Sequence, residues 1–107
     1  MATIEEFKKL QFVVGQIKEV KEHPNADRLY VLQVDTGAGG IRQVVAGIRK
    51  AYAPEQLLGR RIVLVANLEP ATIRGEVSNG MILAASDETA MSVLSPDKDI
   101  ALGSIVK

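Results

Sequence analysis

"IRQVVAGIRKAYAPEQLLGRRIVLVANL", Ile41 to Leu68, carries two β-type runs with a short helical segment between them. "IRQVVAGI" and "RIVLVANL" are rich in β-branched and aliphatic residues and read as strands with a buried face. Between them, "APEQLLGR" puts Pro54 where a first helical turn accepts it and Gly59 where a C-cap needs it. A helix bridging two strands excludes an uninterrupted run of hairpins and makes the strand count on either side informative.

Two strands precede this block. "QFVVGQIKEVKE" is a long first strand whose apolar positions change face: Val13, Gly15 and Ile17 fall on one side and Val20 on the other. Gly15 is the expected site of a bulge or sharp coil. "RLYVLQVDT" is the second strand, and "TGAGG" the hairpin leading to the third, its glycines free to take positive φ. After "RIVLVANL" come a polar loop, "EPATIRGEVSN", a fifth strand, "GMILAAS", and a C-terminal extension whose "GSIVK" reads as an added strand. At the N-terminus, Ile4, Phe7 and Leu10 recur at spacing three behind Thr3, which predicts a short capped helix. Three strands, a helix and two strands, with a strongly coiled first strand, define an all-β, five-stranded OB-fold Greek-key barrel with a short helix between strands three and four. An SH3-like barrel shares the strand pattern but lacks that helix.

Composition limits the chemistry. With 107 residues, 47% of them hydrophobic, residues 1–107 are expected to form one domain around one core. There is no cysteine, and His23 is the only histidine, placed beside Pro24 in a turn, a poor seat for a rigid base. A noncatalytic protein with no metal and no cofactor is the expectation. "MATIEEFKKLQFVVG" has none of the layout of a secretory or transit leader, and no run approaches the roughly 18 apolar residues of a membrane span, so a cytoplasmic protein is expected.

Formal net charge is zero, which argues against coating nucleic acid by bulk positive charge. The distribution is uneven, however. From Arg28 to Arg74 seven basic residues stand against three acidic ones, whereas residues 75–107 carry two basic and five acidic. The basic part is the middle, a modest pointer to nucleic acid.

On the barrel reading, "EHPNADR" joins strands one and two and "EPATIRGEVSN" joins strands four and five, the two loops beside the usual OB ligand face. Turn chemistry offers a ligand-free account of the first: Pro24 fixes φ, and Asn25 and Asp27 accept backbone N–H groups. "VVGQIKEVKEHPNADRLYVLQVD", "RQVVAGI", "LLGRRIVLVANLEP", "IRGEVSNGMILAAS" and "SPDKDIALGS", taken in order, resemble the tRNA-binding domain family, known as an appendage of methionyl-tRNA synthetases and as small freestanding proteins. "HPNADRL", "VVAGI", "NLEP" and "SNGM" carry the resemblance in combination. It implies an OB-fold that binds tRNA by shape at its outer corner without chemistry of its own, a homodimer built partly from C-terminal segments, and methionyl-tRNA synthetase as a candidate partner. Two positions depart from many relatives: Val13 replaces an Arg, and Ala46 a Ser. A related architecture, the CsaA-type export chaperones, offers protein binding as the alternative, and docking onto a synthetase as an assembly module is a third.

The candidate tRNA-binding residues follow from both lines. Lys18 and Lys21 lie in "KEVKE", where they could meet phosphates although such alternation is more often a solvated face. Asn25 sits in the first loop. Arg42 and Gln43 open strand three and resemble the family's "RQ" pair. Arg49 and Lys50 share a polar turn with Tyr52, a ring that suits either an unstacked base or packing under the helix. Arg74 is the lone cation of the second loop and is expected to reach outward. Ser78 and Met81 resemble the family's Ser-x-Gly-Met positions. Met81, Leu83 and Ala85 also alternate as a buried strand face would.

Overall fold

The computed structural model describes all 107 residues, Met1–Lys107. Helix α1 (Ile4–Phe7) begins at Thr3, whose Oγ1 accepts the Glu6 N–H at 3.2 Å while its own N–H donates to the Glu6 carboxylate at 3.1 Å. That capping box satisfies two donors a helix start otherwise leaves orphaned. Strands β1 (Phe12–Glu22), β2 (Tyr30–Asp35) and β3 (Ile41–Ala46) form an antiparallel meander. Helix α2 (Pro54–Leu57) follows, and β4 (Arg61–Val65) returns to pair with the first half of β1. Next come the hairpin of β5 (Ala71–Ile73) and β6 (Glu76–Ser78), then β7 (Met81–Ile82), which pairs with β4. A second hairpin, β8 (Ala84–Ser86) with β9 (Met91–Val93), and β10 (Ile105–Val106), laid on Phe12 and Val13, complete the chain.

The main sheet runs β3-β2-β1-β4-β7 and curls until its ends meet. The Asn79 N–H donates to the Gln43 carbonyl at 2.7 Å, Gln43 Nε2 to the Val77 carbonyl at 2.9 Å, and the Val45 N–H to Ser78 Oγ at 3.0 Å. The barrel with its helix between the third and fourth strands is therefore the expected OB architecture. Ile17, Leu32, Val34, Val44, Ile62 and Leu64 fill its interior, and Leu57, the one buried residue of α2, closes one end. Burying a side chain of that size contributes about 1.5–3 kcal/mol.

The change of face in β1 has a specific cause. Ile17 pairs with Val34 and Glu19 with Gln33, leaving Lys18 as the extra residue of a bulge. The bulge returns Val20 to the inner side, where it packs on the core. It does not lie at Gly15, as expected. Gly15 is needed for closeness: a Cβ there would sit 2.6 Å from Val34 Cγ1.

Two other expectations are corrected. "GMILAAS" is not one strand, because it breaks at Leu83, whose N–H donates to Val63 and whose carbonyl accepts from Leu94. Its inward residue is Ile82 rather than Met81, Leu83 and Ala85. Ile82 pairs with Leu64, and directly opposed residues share a face, so Met81 is turned out and is 49% exposed. The segment "EPATIRGEVSN" is not a loop but a hairpin, turned by Arg74 (φ 51°) and Gly75 (φ 93°), the pair of positive φ values a two-residue primed turn requires. In the turn of the β8–β9 hairpin, backbone N–H bonds from Thr89 and Ala90 hold the exposed Asp87 carboxyl below its ordinary range.

Candidate nucleic-acid interface

The polar cluster after β1 is organised by its histidine. His23 is only 3% exposed, and its ring joins two loops. The Asn25 N–H can only donate, so Nδ1, 2.9 Å away, is the acceptor; the neutral ring then carries its proton on Nε2 and donates it to the Ile73 carbonyl, also at 2.9 Å. Both nitrogens are used structurally, which leaves none for proton transfer. The expected Asx bonds from Asn25 and Asp27 are not formed: His23 makes the turn's side-chain bond, to the Asn25 N–H, and the Leu29 N–H that an Asp27 turn would use donates to the Ala26 carbonyl.

Arginines brace the same junction. Arg74 Nη1 donates to the Asn25 carbonyl at 2.8 Å, so the β5–β6 turn is tied back to the first loop rather than free to reach outward. Arg49 Nη1 donates to the Ala26 carbonyl at 3.0 Å, and its Nη2 pairs with Glu22 at 2.9 Å. The two loops expected to flank the ligand face therefore touch, joined by His23 and Arg74, while Arg49 holds the first loop to the turn after β3. Between them lies a cleft of about 370 Å³.

The other candidate residues divide. Lys18, Lys21, Asn25 and Lys50 are exposed, Lys18 on the β1 bulge. Arg42 is half-buried, with Nη1 on the Ala66 carbonyl, and Gln43 accepts from Gln33 while donating to Val77. Ser78 is buried, its hydroxyl accepting from Val45 and donating to Gly80 at 3.1 Å, so it closes the barrel. Tyr52 packs on the core, with its hydroxyl accepting the Val93 N–H at 3.0 Å and the Arg60 guanidinium 5.5 Å from its ring centre. Asn67 ties down the N-terminal segment, accepting from Gln11 and donating to Lys9, both at 2.7 Å. Val13 is buried in the core. Sequence reasoning missed His23 as the bridge between loops, and it passed over Asp27 and Arg28, which are exposed and make no side-chain hydrogen bond or ion pair. Their signal was their place in "HPNADR".

An OB barrel with two braced polar loops beside its sheet is the architecture of a binding module. The sequence matches the family described as "Putative tRNA binding domain" over residues 12–105, and the chain belongs to that family. It is 52% identical over 105 residues to the methionine–tRNA ligase of Pyrococcus furiosus, covering 98% of this chain and 14% of that protein, so it spans about a seventh of that relative's length. Among solved structures, a MetRS related protein from Pyrococcus horikoshii superposes with a TM-score of 0.92 at 30% identity, over 100% of this chain and 98% of the other. The chaperone CsaA from Bacillus anthracis superposes with a TM-score of 0.91, also at 30% identity, over 100% and 99% of the two chains.

Proposed function

We propose that residues 1–107 are a noncatalytic tRNA-binding unit that recognises tRNA by its shape and presents it to a synthetase of the methionyl type. The observation that carries this reading is the braced pair of loops in a chain of the tRNA-binding family. A fixed surface with placed cations suits a folded RNA, whose phosphates, 2′-hydroxyls and loop bases are read by position more than by bulk charge. Lys18, Lys21, Lys50, Arg28 and Arg74 are the exposed cations of this reading, with Asn25 and Met81 as further contacts. Gln43 and Ser78 serve it by holding β3 against β6, and Arg42 by tying β3 to the end of β4. The unit acts in the cytoplasm; no helix is long and apolar enough to cross a membrane.

The working form is a homodimer. Phe7, Leu10 and Ile105 are exposed and line one hollow with Phe12 and Val106, a patch that a partner copy would cover. Gel shifts with total tRNA, single-stranded DNA and duplex RNA test the function: tRNA is bound best, with a salt slope of roughly two to five per dimer. Equal binding of all three, or a salt-independent affinity, would overturn it.

A second reading, a protein-binding chaperone, is favoured by one feature. Between β3 and β7–β9 runs an apolar groove of about 340 Å³ lined by Val45, Ile48, Ile82, Leu83 and the exposed Met81 and Met91. Methionines adapt to varied apolar side chains. Nucleic acid copurifying with the protein, read as the ratio of absorbances at 260 and 280 nm, favours the first reading over this one.

A further inference from the structure

The cleft between the β1–β2 loop and the β5–β6 hairpin is lined by Ala26, Asp27, Arg28, Leu29, Ile73 and Arg74. At about 370 Å³ it lies near the small end of the roughly 300–1,000 Å³ typical of ligand pockets. Its composition restricts what enters. A bare phosphate would suit the two guanidinium groups but meet the Asp27 carboxylate. A lysine side chain would suit the carboxylate but meet both arginines. An aliphatic side chain would cover Leu29 and Ile73 while leaving three charges to be desolvated without partners.

A nucleobase meets all of these demands. Its faces stack on guanidinium planes and aliphatic side chains, and its edge presents N–H donors to a carboxylate. We propose that this cleft holds one unstacked base of a single-stranded RNA segment, between Arg28 and Arg74, with Asp27 reading the base edge. Guanine fits best, because its Watson–Crick edge offers two adjacent N–H donors to the two carboxylate oxygens. Uracil offers one N–H between two carbonyl oxygens, which the carboxylate repels. The inference rests on the RNA-binding reading above and deepens it.

Two further observations support a prepared site. The walls are joined by His23 to Ile73 and Arg74 to Asn25, and Arg49 fixes the first wall from behind through Ala26, so the cleft exists before any ligand arrives and little ordering remains for binding. Arg74 is also the one non-glycine residue with positive φ, at a turn position where Asn, Asp or Gly is the usual occupant. A long cation kept in that conformation points to use of its side chain. Asp27 and Arg28, free of internal partners, are available to a ligand; the two ion pairs of the molecule are Arg49 with Glu22 and Arg61 with Asp99.

The test compares labelled RNA heptamers, all-uridine and uridine with a single central guanosine, together with unfractionated tRNA, by fluorescence anisotropy on the 107-residue chain. The guanosine heptamer is expected to bind roughly fivefold or more tighter, the low end of what a paired base edge discriminates. Asp27→Asn abolishes that preference, and Arg28→Ala weakens both heptamers about tenfold through lost stacking. Asp27 and Arg28 hold nothing else in place, so an unchanged circular dichroism spectrum is expected for both variants. If tRNA binds but the parent does not distinguish the heptamers, and Asp27→Asn behaves like the parent, the base pocket is overturned while the tRNA reading stands. If the parent binds neither tRNA nor either heptamer, both fall.

Discussion

His23 and Arg74 do the work that the composition of "HPNADR" and "TIRGE" had left ambiguous. His23→Ala removes one buried acceptor and one buried donor, stranding the Asn25 N–H and the Ile73 carbonyl. The expected cost is about 1–3 kcal/mol for each stranded group that water does not reach, seen as a lower urea midpoint with an unchanged slope. His23→Gln, which keeps a donor and an acceptor, recovers part of it. Arg74 separates stability from binding. Arg74→Asn keeps a residue tolerant of positive φ and loses the exposed bond to the Asn25 carbonyl, so stability should fall by only about 0.5–1.5 kcal/mol, whereas tRNA affinity falls by roughly 1–3 kcal/mol. A variant that binds tRNA as the parent does would remove Arg74 from the interface. A local signal such as the Thr3 cap of α1 was readable from the chain because donor and acceptor lie within one turn. The His23 bond to Ile73 crosses fifty residues and leaves no pattern in either segment. Only the fold brings them together.

Strands and helices were legible where periodicity is continuous. β2, β3, α2 and β4 lie where the apolar runs, Pro54 and Gly59 put them. β1 shows what periodicity can and cannot give. The phase break between Ile17 and Val20 was visible, but its placement at Gly15 was not right, because glycine serves there to let β2 approach and the bulge falls on Lys18. Gly15→Ala is therefore expected to destabilise the barrel by about 1–3 kcal/mol through overpacking against Val34 and the Asp35 carbonyl, measured as a drop in Tm. A neutral result would mean that β1 and β2 can separate by the few tenths of an ångström needed. The later strands were misread for a different reason. Residues 76–93 make four segments of two or three residues each, too short for an alternation to declare its phase, and pairing with Leu64 settles that Ile82 faces inward. Two site candidates changed meaning with this segment: Ser78 lies inside the seam, and Met81 on the surface.

The molecule as a whole carries a patch its own chain does not cover. α1 and β10 meet on β1, where the stacked rings of Phe7 and Phe12 lie 5.4 Å apart beside Val106. Ile105 is 59% exposed there, and Leu58 is 58% exposed after α2, outside that hollow. The contrast makes the dimer proposal testable with matched variants. Ile105→Lys places a charge where the partner copy would bury apolar surface, so light scattering should give half the parent mass at micromolar concentration. Leu58→Lys, equal in chemistry and exposure, should leave the dimer intact. Because both side chains are largely solvated in the single copy, neither change should cost the barrel more than about 0.5 kcal/mol. Binding should follow assembly. If tRNA spans both subunits, splitting them forfeits the effective concentration that one bound subunit lends the other, and affinity should fall at least about a hundredfold for the Ile105 variant alone. A monomeric Ile105→Lys that keeps the parent affinity would mean that one barrel, with its own braced loops, is the whole binding unit.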